Sequence, residues 1–119
     1  MIGLPIYEEN IMNLKYVVAV IRADVLDALE AKLASLHVRG LTVSKVKGFG
    51  EYMDFLAKSH LTEHIKVEIF VDDSKAEAVA TAIMDIAHSE VPGAGIVAMM
   101  PVEKFFHIRT RSETLPDES

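Results

Sequence analysis

Apolar residues follow two rhythms along the chain, and each change of rhythm marks an element. Residues 14–21 are apolar on both pleat faces, with Tyr16, Val18 and Val20 on one and Val17, Ala19 and Ile21 on the other. That pattern predicts a strand whose two faces both need covering. Asp24 is placed to cap a helix in which Leu26, Leu29, Leu33 and Leu36 recur at three- and four-residue steps, ending near Gly40. Residues 41–49 read as a second strand, where a face switch between Val43 and Val46 predicts a bulge. Residues 51–63 are a mixed, polar connection. Beyond them Ile65, Val67, Ile69 and Val71 alternate with Lys66, Glu68, Phe70 and Asp72, the period of a half-buried strand. Ser74 and Glu77 have capping-box spacing and open a second helix with the stripe Ala76, Ala80, Ile83 and Ala87. Two short apolar runs, 96–100 and 105–109, predict further strands.

Strand, helix, strand, strand, helix, strand is the split βαβ order of an α+β, ferredoxin-like fold (βαββαβ) with an antiparallel sheet. Both helices then cover one sheet face, and the other keeps the apolar side chains of the first strand. Self-association through that face is the physical expectation. Residues 1–13 lack periodicity and read as an N-terminal extension, 14–111 as one domain, and 112–119 as a flexible acidic tail.

Composition narrows the chemistry. A chain of 119 residues, half of them apolar, buries a core without staples. The absence of cysteine excludes disulfides, zinc-thiolate sites and thiol catalysis. Glu8, Glu9 and Asn10 interrupt any secretory pattern, so a cytoplasmic location is expected. A net charge of −6 disfavours nucleic acid and anionic lipid and leaves small ligands or proteins as partners. Gly48 and Gly50 close the second predicted strand, and Gly93-Ala94-Gly95 precede the fourth. Such glycines free backbone N–H groups to cradle an anion, although turn geometry alone also explains them.

The segment Gly40-Leu-Thr-Val-Ser-Lys-Val-Lys-Gly-Phe-Gly50 resembles the GxTVTEVKGFG segment of the PII signal-transduction family nearly residue for residue. Gly93-Ala-Gly95 resembles that family's Gly-Asp-Gly turn, and His107-Ile-Arg-Thr110 its closing Arg-Ile-Arg-Thr. The resemblance runs from about residue 14 to residue 110. It implies a homotrimer with inward-facing sheets and an adenine nucleotide in each cleft between subunits. By position, Gly48 and Gly50 would lie near the phosphates, Thr42, Glu68 and Phe70 near the adenine, and Gly40 and His107 elsewhere in the nucleotide site. Gly93 and Gly95 would supply backbone donors, with Ala94 between them in the nucleotide site, and Arg109, reaching across the subunit boundary, would bind phosphate as a planar fork. A rim salt bridge is the plainer reading of Arg109.

Departures from the family's pattern matter as much. Its long loop with a modifiable tyrosine is missing, because Glu51-Tyr-Met-Asp-Phe-Leu56 follows Gly50 directly. Tyr52 is then not a modification site, and the loop's arginine and glutamine are gone, which puts metal-assisted 2-oxoglutarate sensing in doubt. Ile96 stands where the family has lysine, and His107 where it has arginine. His107 is either a protonation-dependent substitute or a neutral strand histidine. Each lost cation removes a charge-assisted hydrogen bond worth about 1.5–3 kcal/mol, so ADP or AMP is expected over ATP. Short-loop relatives linked to inorganic carbon imply bicarbonate as a second ligand. They also imply a bicarbonate transporter or carboxysome component as the protein partner.

Two rivals share the topology. Lys47-Gly-Phe-Gly50 imitates the start of an RNA-recognition signature, but it closes the wrong strand and Glu51 stands where an aromatic is needed. His60 and His64, with Glu63, have a spacing that a helix turns into a metal site, as in ferredoxin-like trimers of metal tolerance, yet no third ligand is evident. No nucleophile with a paired base, Walker sequence or close acid pair has a recognisable spacing, so no catalytic residues and no enzyme activity are expected.

Overall fold

The strand that is apolar on both faces lies inside the sheet, as its pattern requires. The computed structural model describes residues 13–47, 63–90 and 93–113. In chain order they form β1 (Leu14–Arg22), a 3-10 turn (Ala23–Val25), α1 (Leu26–Ser35), β2 (Thr42–Val46), β3 (His64–Asp72), α2 (Asp73–Ala87) and β4 (Gly95–Val102). A hairpin of β5 (Phe106–His107) and β6 (Ser112–Glu113) follows. The main sheet has the order β2-β3-β1-β4, with every neighbouring pair antiparallel. β1 and β2 are therefore parallel with β3 between them, and β3 and β4 are parallel with β1 between them. This is the split βαβ arrangement of the expected α+β fold.

Both helices lie on one sheet face. There Val17, Ala19, Ile21, Ile65, Val67, Ile69 and Val71 pack with Leu29 and Leu33 of α1 and Ala76, Val79 and Ile83 of α2. Alanines 76, 80 and 82 are buried and let α2 lie close to the sheet. The opposite face carries Tyr16, Val18 and Val20 of β1, paired with Phe70, Glu68 and Lys66 of β3 and with Met100, Ala98 and Ile96 of β4. No helix among the described residues covers it, and Ile96, Met100 and Phe70 are 49%, 43% and 41% exposed.

Local details depart from the sequence expectation. Asp24 does not cap α1; it pairs with Arg22 at 2.8 Å, and the N-cap position is Val25 without a side-chain bond. α1 stops at Ser35, not near Gly40, because Val38 N–H bonds to Leu33 and His37 N–H to Ala34, with His37 at φ 64. That is a Schellman ending built on a histidine in the glycine-favoured region. β2 pairs with β3 in unbroken register from Thr42↔Glu68 to Val46↔His64, so no bulge occurs. The face switch is accommodated at a sheet edge, where Val43 is 39% exposed. α2 is capped by Asp72, whose side chain accepts from Ser74 N–H at 2.9 Å, and not by Ser74. Residues 106–107 pair with 112–113 instead of joining the main sheet, so the first two residues of the expected tail belong to β6.

Hydrogen bonds from the Ser74 side chain and then its backbone hold the Asp72 carboxyl below its ordinary 3.8. A depressed folded value contributes stability that is complete above the ordinary value and is lost as pH falls through the folded one. Asp72→Ala should cost about 1 kcal/mol at neutral pH in urea unfolding. The deficit relative to the wild type should shrink as pH drops below 3.8.

Candidate functional site

The Schellman ending of α1 turns the chain so that residues 38–41 run back to the β2 edge and form one wall of a cleft. The cleft holds about 380 Å³ and is bounded by His37 to Thr42, by Glu68, Phe70 and Asp72 of β3, and by Lys75 of α2. Lys75 Nζ donates to the His37 carbonyl at 3.1 Å and so ties α2 to that wall. Four residues singled out in the sequence, Gly40, Thr42, Glu68 and Phe70, meet here. Thr42 and Glu68 are opposite each other in the β2–β3 register. A Cβ on Gly40 would touch nothing within 4 Å, so the fold itself does not demand glycine at that position.

A chain of aromatic contacts extends the cleft along the uncovered face. Tyr16 Oη donates to Glu68 Oε2 at 2.5 Å, and its ring lies 5.0 Å from that of Phe70. Phe70 meets Phe105 edge-on at 5.2 Å, and Phe105 meets His107 at 5.4 Å. His107 thus reaches Phe70 through the Phe105 ring, and Glu68 through Phe105, Phe70 and Tyr16 in turn. Arg109 is exposed in the β5–β6 turn and has no ion-pair partner among the described residues, so the rim salt bridge is not observed. The bond to the Glu68 carboxylate, then burial, then the Glu68 charge, push the Tyr16 phenol above its ordinary 10.0. Tyr16 and Phe105 escaped the sequence reading as site residues. The alternation of β1 does place Tyr16 on the uncovered face, but nothing local pairs it with residues 70 and 105.

The candidates of the glycine turn sit at the β4 edge. Ala94 and Gly95 border a second cavity of about 450 Å³ beside Ile83, Met84 and His88. Gly93 and Gly95 have φ of 100 and 124. A Cβ on Gly95 would lie 2.1 Å from the Val20 carbonyl oxygen, so close packing of β4 on β1 demands glycine there whatever binds nearby. Gly48 and Gly50 lie outside the described residues, as does His60. His64 is buried, with Nε2 at 3.0 Å from the Gly93 carbonyl; donating there, that nitrogen is closed to a metal. No cluster of three metal-ligating side chains exists among the described residues. Within one copy, then, the candidates form two groups: Gly40, Thr42, Glu68, Phe70 and His107 toward the β2–β3 edge, and Gly93 to Gly95 at the β4 edge.

Sheet order, helix placement and cleft define a ferredoxin-like α+β protein with an open cleft at one sheet edge and a glycine turn at the other. No described helix is long and apolar enough to cross a membrane. The chain belongs to the nitrogen regulatory protein P-II family, whose family model matches residues 14–112, and is thus a regulatory signal-transduction protein. It is 37% identical over 113 residues to nitrogen regulatory protein GlnK1 of Methanosarcina mazei, covering 87% of this chain and 96% of that one. It is 33% identical to nitrogen regulatory protein P-II of Azospirillum brasilense, covering 82% and 93%. Among solved structures, Arabidopsis thaliana PII bound to citrate is similar with a TM-score of 0.69 and 26% identity, over 86% of this chain and 89% of that one.

The two glycines should separate in a stability assay. Gly95→Ala should lower unfolding free energy by about 2–4 kcal/mol through positive φ and contact with β1. Gly40→Ala should stay within about 0.5 kcal/mol of wild type. In ultraviolet titration a tyrosine step should fall above the ordinary 10.0, and Tyr16→Phe should remove that step.

Proposed function

We propose that this chain is a homotrimeric PII-type sensor that binds an adenine nucleotide between copies, with ADP or AMP favoured over ATP. The observation that carries this reading is the cleft in which Gly40, Thr42, Glu68 and Phe70 come together. Glu68 offers a carboxylate to amino or hydroxyl donors, and Phe70 offers a partly exposed ring for stacking. The glycine turn lies at the other edge of the sheet, so a nucleotide between copies takes its base site from one chain and its backbone phosphate donors from the next. The uncovered apolar face supplies the driving force for that assembly.

Preference for fewer phosphates follows from the cations this chain lacks. Ile96 offers no charge at the start of β4, and of the closing motif Arg109 keeps a guanidinium while His107 stands beside Phe105. Bicarbonate as second ligand, and a protein partner in carbon or nitrogen metabolism such as a bicarbonate transporter or a carboxysome component, complete the proposal. Signalling requires the ligand to favour one state of the partner-facing surface, by the difference in its affinity for the two states.

Calorimetric titration with ATP, ADP and AMP, each with and without bicarbonate, tests the reading, with 2-oxoglutarate and citrate as carboxylate controls. ADP and AMP should bind more tightly than ATP, and Arg109→Ala should weaken ADP roughly tenfold or more, the worth of one charge-assisted hydrogen bond. No nucleotide binding at millimolar concentration contradicts the sensor reading. A clear ATP preference contradicts the argument from missing cations, and normal ADP binding by Arg109→Ala removes that residue from the site.

A further inference from the structure

Among the described residues His64 is the buried polar side chain, and the proposed site does not use it. It begins β3, opposite Arg22 of β1 and Val46 of β2, at the sheet end where the glycine turn enters β4. The residue is 4% exposed, and Nε2 lies 3.0 Å from the Gly93 carbonyl oxygen. A carbonyl oxygen only accepts, so the imidazole donates and Nε2 carries the proton. The same corner is tied by Ala23 N–H to the Glu63 carbonyl at 2.8 Å, which fixes where His64 enters the sheet.

The consequence comes from peptide planarity. The Gly93 carbonyl and the Ala94 N–H belong to one planar trans unit and point in opposite directions. Anchoring the carbonyl toward His64 therefore aims the Ala94 N–H away from the buried ring. That peptide turns about ψ of Gly93 and φ of Ala94, and Gly93, at φ 100 and without a Cβ, restrains it little, so an anchor on its carbonyl has a specific task. We infer that His64 is the positioning residue of the glycine turn, holding the Gly93–Ala94 peptide so that its N–H is presented to a phosphate oxygen. The inference rests on the nucleotide-sensor reading above for its ligand, and on the His64 to Gly93 contact for its geometry.

The test uses the full chain and two ligands that differ in phosphate, ADP and adenosine. His64→Gln can place an amide donor near the position of Nε2, whereas His64→Leu fills the space without a donor. His64→Leu should weaken ADP about tenfold and leave adenosine within about twofold, and His64→Gln should recover most of the ADP affinity. In proton–nitrogen spectra the Ala94 amide should shift in His64→Leu and return toward wild type in His64→Gln. Wild-type His64 should show the Nε2-protonated form. Equal loss of ADP and adenosine in His64→Leu would overturn positioning in favour of a general packing role. Unchanged ADP binding, or a ring protonated at Nδ1 alone, would also overturn it. A wild type that binds neither ligand would overturn the sensor reading and the phosphate role with it, and is distinguishable because the variants are then irrelevant.

Discussion

Two helices cover only one face of a four-stranded sheet, and β1 is apolar on both. Everything else about this protein depends on how that imbalance is resolved. Val17, Ala19 and Ile21 are satisfied by α1 and α2 within the chain. Val18 and Val20, with Ile96 and Met100 beside them, have no such cover among the described residues. Burying apolar area is worth about 25 cal/mol per Å², so a face of this kind favours association with further copies over contact with water. A closed symmetric assembly satisfies the face without leaving a new one exposed.

The same imbalance sets where a ligand can sit. In a single copy the cleft beside β2 and the glycine turn before β4 are at opposite sheet edges, so the nucleotide site proposed above needs a second copy to complete it. Bringing sheets together face to face also brings one copy's edge near another's. The aromatic run from Tyr16 through Phe70 and Phe105 to His107 lies between the core of the uncovered face and the cleft. Assembly and binding would then share a structural element, which is a simple way for ligand and oligomer to influence each other.

Much of this was legible in the chain. The two-faced apolar run of β1, the period-two alternation of β3 and the leucine spacing of α1 fix fold class and strand order, because they reflect burial on known faces. What was not legible turned on single residues or long-range meetings. Asp72 and Ser74 are both capping residues, and which one caps depends on where β3 ends. His37 ends α1 in the left-handed conformation usually left to glycine, so the leucine spacing alone points past it toward Gly40. The bulge expected between Val43 and Val46 is unnecessary because an edge strand tolerates an exposed valine. Of the site, Gly40, Thr42, Glu68 and Phe70 were named together through resemblance to PII sequences, and they line one cleft. Tyr16 and Phe105 join them only through the fold, from opposite ends of the chain. His64 was singled out for metal spacing and proves to be bonded to the glycine turn.

Native mass spectrometry of the full chain with increasing ADP tests the central claim most directly, since it reads assembly and occupancy in one spectrum. The account predicts a species of three chains that takes up as many as three ADP molecules, with no ADP on the free chain. ADP carried by a single chain, or a protein that remains monomeric as its concentration is raised, would contradict it.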